Sequence, residues 1–334
     1  MCTDIHWGRK NNSELHNKDC SRFIDWFVDN AKQNEVDHIC FLGDWFEERS
    51  SIDSLTAKYA LNCAKKLNSL GIPVYFIVGN HDLYYRDNRD VFASYTYSTL
   101  ENFVIIDQPI VSHDTLVPTL YSPFIFEDEY PGLAAYLDIP IWMGHFEFKG
   151  FVLTGETFKK ESGPDPDSFS APEEIFSGHF HKRQMAKNIT YIGNAFPMDF
   201  GDANDYARGM AIYDYEKKQT DFLNWEDCPK YMKVTLSQVN ADPSILQPGA
   251  RVKVIADQDI THSENSDLKH TLMKEYNLRE FNVEEQMVAP VVNTEISAED
   301  LRTKSTSELV RDMIGNIESP DIDNEMLLAI WDEL

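Results

Sequence analysis

The chain has 334 residues, 42% of them hydrophobic, and a formal net charge of −26; that length allows two domains and a small appendage. The charge opposes free-standing nucleic-acid binding, which draws its affinity from Lys and Arg, and it favours cation binding and solubility. No run reaches the roughly 18 to 20 apolar residues of a membrane span, "MCTDIHWGRK" holds no apolar secretory segment, and Cys2, Cys20, Cys40, Cys63 and Cys228 lack C-x-x-C spacing and read as reduced cytosolic thiols.

In chain order, "CSRFIDWFVDNAKQ" (20–33) sets Phe23, Phe27 and Ala31 at helical spacing. "HICFLGD" (38–44) is a short apolar run ending at Gly43. "DSLTAKYALNCAKKLNSLG" repeats Ala60, Cys63, Ala64, Leu67 and Leu70 on one helical face, and Gly71 is a natural stop. "VYFIVGNHD" (74–82), "IPIWMGHFE" (139–147) and "EIFSGHFHK" (174–182) are further apolar runs. Strands alternating with helices predict an α/β layered core through about residue 195. "ITYIG" and then "GMAIYDYEKKQTDFLNW", a hairpin turning near Lys217 and Lys218, add strands. "YMKVTLSQV" and "RVKVIAD" alternate as half-buried strands, and "NSDLKHTLMKEYNL" is helical. The chain therefore divides into residues 1–228, a small α/β unit at 229–284, a linker at 285–296 and a helical tail at 297–334, with a break around Ser319 and Pro320.

Five segments share one pattern, an apolar run meeting metal-ligand side chains. They are Asp4-x-His6, Gly43-Asp44, Gly79-Asn80-His81-Asp82, Gly144-His145 and Gly178-His179-Phe180-His181. In open α/β sheets, sites lie beyond the carboxyl ends of the strands, so the runs point at one place. Taken singly, Asp4-x-His6 could be a surface pair, Gly43-Asp44 a turn, and His145 a satisfied core histidine. Three polar groups directly after a buried strand are costly without a purpose. The whole set suits two-metal phosphoester hydrolysis, in which a bridging carboxylate and terminal ligands hold two cations. Imidazole with carboxylate suits Mn, Fe or Zn.

This ordered set resembles the calcineurin-like metallophosphoesterases, and within them the DNA-repair nuclease subunits of SbcD (Mre-eleven) type, particularly the tailed-phage versions. The resemblance implies an α/β two-sheet sandwich flanked by helices, a small α/β capping domain and a C-terminal helical tail. It implies that Asp44 bridges two divalent ions, Mn first, with Mg, Fe or Zn open. Asp4, His6 and His181 would complete one site, and Asn80, His145 and His179 the other. His81 would face the scissile phosphate, and Asp82 would orient a neighbour. Two features depart from the family pattern. Only three residues precede Asp4, short for a full first strand. Glu47 stands where some members carry His, so it is expected only to pack or hydrogen-bond at its turn.

A phosphatase of the same superfamily is the alternative, and a non-catalytic architectural subunit is another. Protein phosphatases continue the second motif as Asp-Arg-Gly and end the third in Glu, whereas this chain reads "GDWFEERS" and "GNHD"; the full ligand set opposes the architectural reading. Arg9, Lys10, Lys182 and Arg183 flank the motifs, with Lys149, Lys159 and Lys160 nearby, and could position a DNA backbone. The resemblance further implies an SbcC-type coiled-coil ABC ATPase partner, a homodimer, and a host-cytoplasmic location if the chain is phage-encoded. Leu309, Met313, Leu327, Leu328 and Trp331, with Ile314 and Ile330, give the tail apolar anchors for that partner. The expected activity is that of a double-strand exonuclease and single-strand endonuclease, attacking directly because no activated Ser or Cys accompanies the site.

Overall fold

Alternation along the first two strands sets the layering. The computed structural model describes residues 1–154, 158–285, 291–292, 306–318 and 323–333. In β1 (Ile39–Phe41) and β2 (Val74–Ile77), Ile39, Phe41, Val74 and Phe76 face a cluster built with Phe23, Phe27 and Leu67. Cys40, Tyr75 and Ile77 face the opposite way, onto Tyr121, Met143 and Phe176. A strand sends successive side chains to opposite faces, so both faces are buried and the runs read as continuously apolar. Each fully buried Phe or Ile contributes about 1.5–3 kcal/mol.

β1, β2 and β3 (Phe103–Ile106) form a parallel sheet. The helices Glu14–Gln33 and Ser54–Asn68 cover its outer face, capped by Ser13 and by Asp53, whose side chains accept from the His16 and Thr56 amides. The first helix starts six residues earlier than its apolar spacing predicts. Its first turns bury His16 and Asn17, polar residues that carry no hydrophobic signal. Remaining strands of the first half are β4 (Ile110–Ser112), β5 (Thr119–Phe124), β6 (Ile141–His145), β7 (Val152–Thr154), β8 (Phe158–Lys159), β9 (Glu174–Ser177), β10 (Gln184–Ala186) and β11 (Ile189–Tyr191). A six-stranded sheet runs β10-β11-β9-β6-β5-β4. Tyr75 and Tyr121 stack between the two sheets at 4.1 Å. Trp142, Ile175 and Tyr191 line the outer face of the second sheet.

The segment 1–7 runs beside β1: Cys2 bridges Phe41, and Leu42 N donates to the Cys2 carbonyl at 2.9 Å. These contacts anchor the segment that carries Asp4. β12 (Gly209–Asp214) and β13 (Gln219–Asn224) form the expected hairpin, with Lys218 in the left-handed region at φ 52°. β14 (Tyr231–Thr235), β15 (Arg251–Ala256) and β16 (Glu280–Glu285) make a separate parallel sheet around Val252, Val254 and Phe281. Here "YMKVTLSQV" is not one strand. Thr235 and Gln238 form a capping box that starts the helix Leu236–Ala241. β16 also carries ordered pairing up to the predicted linker. Of that linker, Glu285, which ends β16, and Val291 and Val292 fall among the described residues; the two valines pair with Ile317 and Glu318, which lie between the helices Thr306–Gly315 and Asn324–Glu333.

Candidate metal centre

The five motifs meet at the carboxyl ends of the strands. Asp4 and His6 arrive on the N-terminal segment, Asp44 after β1, Asn80 and His81 after β2, His145 at the end of β6, and His179 and His181 after β9. Asp4, His6, Asp44 and His179 all take left-handed backbone, with φ of 50°, 51°, 58° and 84°. Such residues cost of order 1–3 kcal/mol each and persist only where the surroundings over-determine them. Here the constraints are explicit. Asp4 N donates to Gly43 O at 3.0 Å, and the Ile5 and His6 amides donate to Asp44 O at 3.1 and 3.2 Å. His179 N donates to the Asp4 carboxylate, 3.1 Å from Oδ2.

The glycines permit this convergence. A Cβ on Gly79 would lie 2.3 Å from both Asp44 N and Asp44 Oδ1. A Cβ on Gly178 would lie 2.1 Å from Thr3 Oγ1 and 2.5 Å from Leu42 O. The motif glycines are thus places where backbones pass too close for any side chain.

Candidate ligand atoms group as Asp4, His6 and His181; as Asp44, His145 and His179; and as His6, Asp44 and His81, each set within 4.8 Å. His6 Nε2 lies 3.1 Å from His181 Nε2 and 3.9 Å from both Asp4 Oδ1 and Asp44 Oδ2. His145 Nδ1 lies 2.6 Å from the Leu42 carbonyl. A carbonyl only accepts, so Nδ1 carries the proton and Nε2 presents a lone pair. That Nε2 faces Asn80 Oδ1 at 3.0 Å and Asp44 Oδ2 at 3.4 Å. Asn80 Oδ1 is also 2.9 Å from His179 Nδ1. Acceptors pointed at acceptors in a buried site need a shared positive charge. The donor set, neutral imidazole with carboxylate and amide oxygen, fits divalent cations of the Mn, Fe and Zn kind.

In the metal-free chain a proton on His145 supplies that positive charge, and a cation would have to displace it before Nε2 offers its lone pair. Burial works against the Asp44 charge, yet the His145, His81 and His6 rings hold it well below the usual carboxylate range. Burial disfavours a charged His145, but Asp44 outweighs it and pushes the imidazole up to about 9. Burial, then His6, keep His181 neutral, well below its ordinary value.

The supports are as specific as the ligands. Asp82 is fully buried and accepts four amides: Asp44 N at 3.1 Å and Gly79 N at 3.0 Å on Oδ2, and Trp45 N and Phe46 N at 3.0 Å on Oδ1. Burial and the Asp44 charge push it up to about 7, and the amides pull the other way. His81 N donates to Asp44 Oδ1 at 2.8 Å, and His81 Nδ1 donates to the Glu47 carbonyl at 2.8 Å. Glu47 does more than pack at a turn: its Oε2 is 2.8 Å from His6 Nδ1. Glu147, the last residue of "IPIWMGHFE" and assigned no role from the sequence, lies 3.5 Å from His179 Nε2 and pairs with Lys160 at 2.6 Å. Its position two residues after His145 was the available signal.

A profile of calcineurin-like phosphoesterases matches residues 1–183, over half of the chain. The chain belongs to the calcineurin-like phosphoesterase family. Over 206 residues it is 29% identical to exonuclease subunit 1 of Enterobacteria phage T4, a match that covers 59% of this chain and 58% of that protein. It is a metallophosphoesterase related to that exonuclease subunit.

The flanking basic residues of this phosphoesterase are placed unequally. Arg9 grips both Glu47 oxygens at 3.1 Å and Asp199 at 2.6 Å. Lys10 donates to the Tyr231 hydroxyl at 2.6 Å. Arg183 donates to Ile192 O and Asn224 Oδ1 and covers Phe222. Lys149 pairs with Asp165 at 2.7 Å. Lys182, and the unpredicted Arg49 and Arg86, have no hydrogen-bonded or ion-paired side-chain partner among the described residues; Arg49 feels the charges of Asp44 and Arg86. In the tail, Met313 and Ile330 are exposed, and Leu327, Leu328 and Trp331 are half-buried. The Leu309 side chain lies outside the described residues. Among the described residues, no helix is long and apolar enough to cross a membrane.

Proposed function

We propose that the chain is a two-metal DNA phosphodiesterase, an exonuclease and endonuclease, and the nuclease subunit of an SbcCD-like complex. The observation that carries this reading is the convergence of Asp4, His6, Asp44, Asn80, His145, His179 and His181 with a differently held His81 beside them. Asp4, His6 and His181 would hold one cation, Asn80, His145 and His179 the other, and Asp44 would serve both. When bound, such cations acidify water and offset charge on phosphoryl oxygens; Mn is the choice the donor set favours.

The chain's own residues do the rest. The Glu47 carbonyl takes the His81 Nδ1–H, and a second proton, carried on Nε2, is the one this ring would deliver to the leaving oxygen. Asp82 fixes the turn that carries Asp44, and Leu42 O aims His145. Attack is direct, with no covalent enzyme intermediate. All five thiols are buried, and burial pushes Cys2 up to about 12, far from a nucleophilic thiolate. Among the described residues, Lys182, Arg49 and Arg86 are cations without a side-chain partner that could take phosphates, with Arg9 and Lys10 behind them. An acidic chain draws the remaining grip from a partner, an SbcC-type coiled-coil ATPase docking on Met313, Leu327, Leu328 and Trp331, with Leu309 in the same segment. The proposed division is a phosphoesterase domain at 1–228, a capping domain at 229–284 and the partner-binding tail at 297–334, working as a homodimer in the cytoplasm.

Relatedness to the phage T4 exonuclease subunit favours this reading over a phosphatase of the same family. The test is turnover of linear duplex DNA against a phosphopeptide and p-nitrophenyl phosphate, with Mn, with and without an SbcC-type ATPase. DNA should be cleaved in preference. Rapid phosphopeptide turnover with inert DNA would overturn the reading.

A further inference from the structure

Glu47 is attached on all three of its polar groups. Its amide donates to Trp7 O at 3.0 Å, its carbonyl accepts from His81 Nδ1 at 2.8 Å, and its Oε2 lies 2.8 Å from the buried His6 Nδ1, off the line of an Nδ1–H bond that a small turn of either side chain would align. Both carboxylate oxygens take the Arg9 guanidinium at 3.1 Å, and Arg9 is held from its other side by Asp199 at 2.6 Å. One residue thus spans the first motif, through His6 and Trp7, and the third, through His81. The His6 and His81 rings meet edge to face with centroids 5.0 Å apart.

We propose that Glu47 is a positioning residue that sets the tautomer of His6 through its carboxylate, with Arg9 as the clamp that aims it, while its carbonyl does the same for His81. The chemistry is direct. A ring with Nδ1–H held by a carboxylate presents an Nε2 lone pair of fixed direction, and the carboxylate raises ligand basicity. A neutral His6 without that partner could carry its proton on either nitrogen and could rotate. Arg9 matters because its Nη1 reaches both Glu47 oxygens while Asp199 fixes its Nη2, which keeps the carboxylate from swinging. The inference rests on the reading of His6 as a metal ligand.

The test is Mn binding by calorimetry on the full chain without DNA. Glu47→Ala keeps the main-chain bonds to Trp7 and His81 but removes the carboxylate. One of the two Mn sites should weaken about 10- to 100-fold, and the other should hold. Glu47→Gln keeps one oxygen for His6 Nδ1–H but loses the charge and one of the two Arg9 contacts, so its loss should fall between that of wild type and that of Glu47→Ala, a graded order that a general packing role does not require. Arg9→Ala should weaken the same site by less than Glu47→Ala. His6→Ala runs in parallel: if it leaves both sites intact, the ligand assignment itself is wrong and the proposal goes with it. If His6→Ala abolishes a site but Glu47→Ala binds as wild type, or Glu47→Gln fails like Ala, the positioning role alone is overturned. Should Glu47→Ala not fold, Arg9→Ala and Glu47→Gln decide the matter by the same criteria.

Discussion

Replacing Asp82 by Asn is the sharpest perturbation of the centre that touches no ligand. Oδ1 accepts from Trp45 N and Phe46 N, and Oδ2 from Asp44 N and Gly79 N, all within 3.1 Å. An amide keeps one accepting atom and turns an NH₂ toward the other two donors. Asp82 is pushed up to about 7, so the comparison belongs at alkaline pH, where it is ionised; hydrogen bonds to a charged acceptor contribute roughly 1.5–3 kcal/mol each, and losing one pair there costs about 3–6 kcal/mol. The damage is local, because the four amides belong to two turns, one bearing Asp44 and one following β2. Urea unfolding of the metal-free chain should show the loss as a lower midpoint. Hydrogen exchange of peptides covering 42–48 and 77–83 should show amide protection lost there and retained in β14–β16. A variant within about 1 kcal/mol of wild type, with both peptides still protected, would refute the reasoning, since native hydrogen-bond losses of that number cannot be silent.

Three further outcomes follow from the same geometry. His81→Ala should lower hydrolysis about 10²- to 10⁴-fold, the usual worth of a positioned acid, with Mn content unchanged by mass spectrometry. His16 is buried against His6 O at 2.9 Å, and burial depresses it to about 4; its stabilising neutral form is fully present above the ordinary value near 6.5, and stability falls as pH drops from there toward 4. Loss of about 3 kcal/mol should appear in urea titrations of the EDTA-treated chain between those pH values, and His16→Gln should flatten that slope. Lys182→Ala should weaken duplex binding in fluorescence anisotropy and reduce the slope of log affinity against log salt by about 0.9, whereas an unchanged slope would remove Lys182 from the DNA contact.

The strands and the convergence of the candidate ligands could be read from the chain because both are local signals. The apolar runs that end at Gly43, Gly79, Gly144 and Gly178 each carry candidate ligands within three positions, so "VYFIVGNHD" announces strand, turn and chemistry together; Asp4 and His6 have no such run before them. The supports could not be read this way. Leu42 aims His145 through a carbonyl, which leaves no trace in residue type. Glu47 reaches His6 across the fold, and Arg9 reaches Asp199 some 190 positions away; motif-flanking Arg9, Lys10 and Arg183 look like free cations until their partners are seen. The boundary at Thr235 failed for a different reason. Leu236, Ser237 and Val239 fit either period, and the Thr235–Gln238 capping box decides for helix.

The division of labour between Asn80 and His81 is tested most directly by crystals grown with Mn and measured at its absorption edge. The account predicts two anomalous peaks with Asp44 between them: one against Asp4, His6 and His181, the other against Asn80, His145 and His179, with His81 bound to neither. A single peak, or one coordinated by His81 in the His6–Asp44–His81 group, would contradict it.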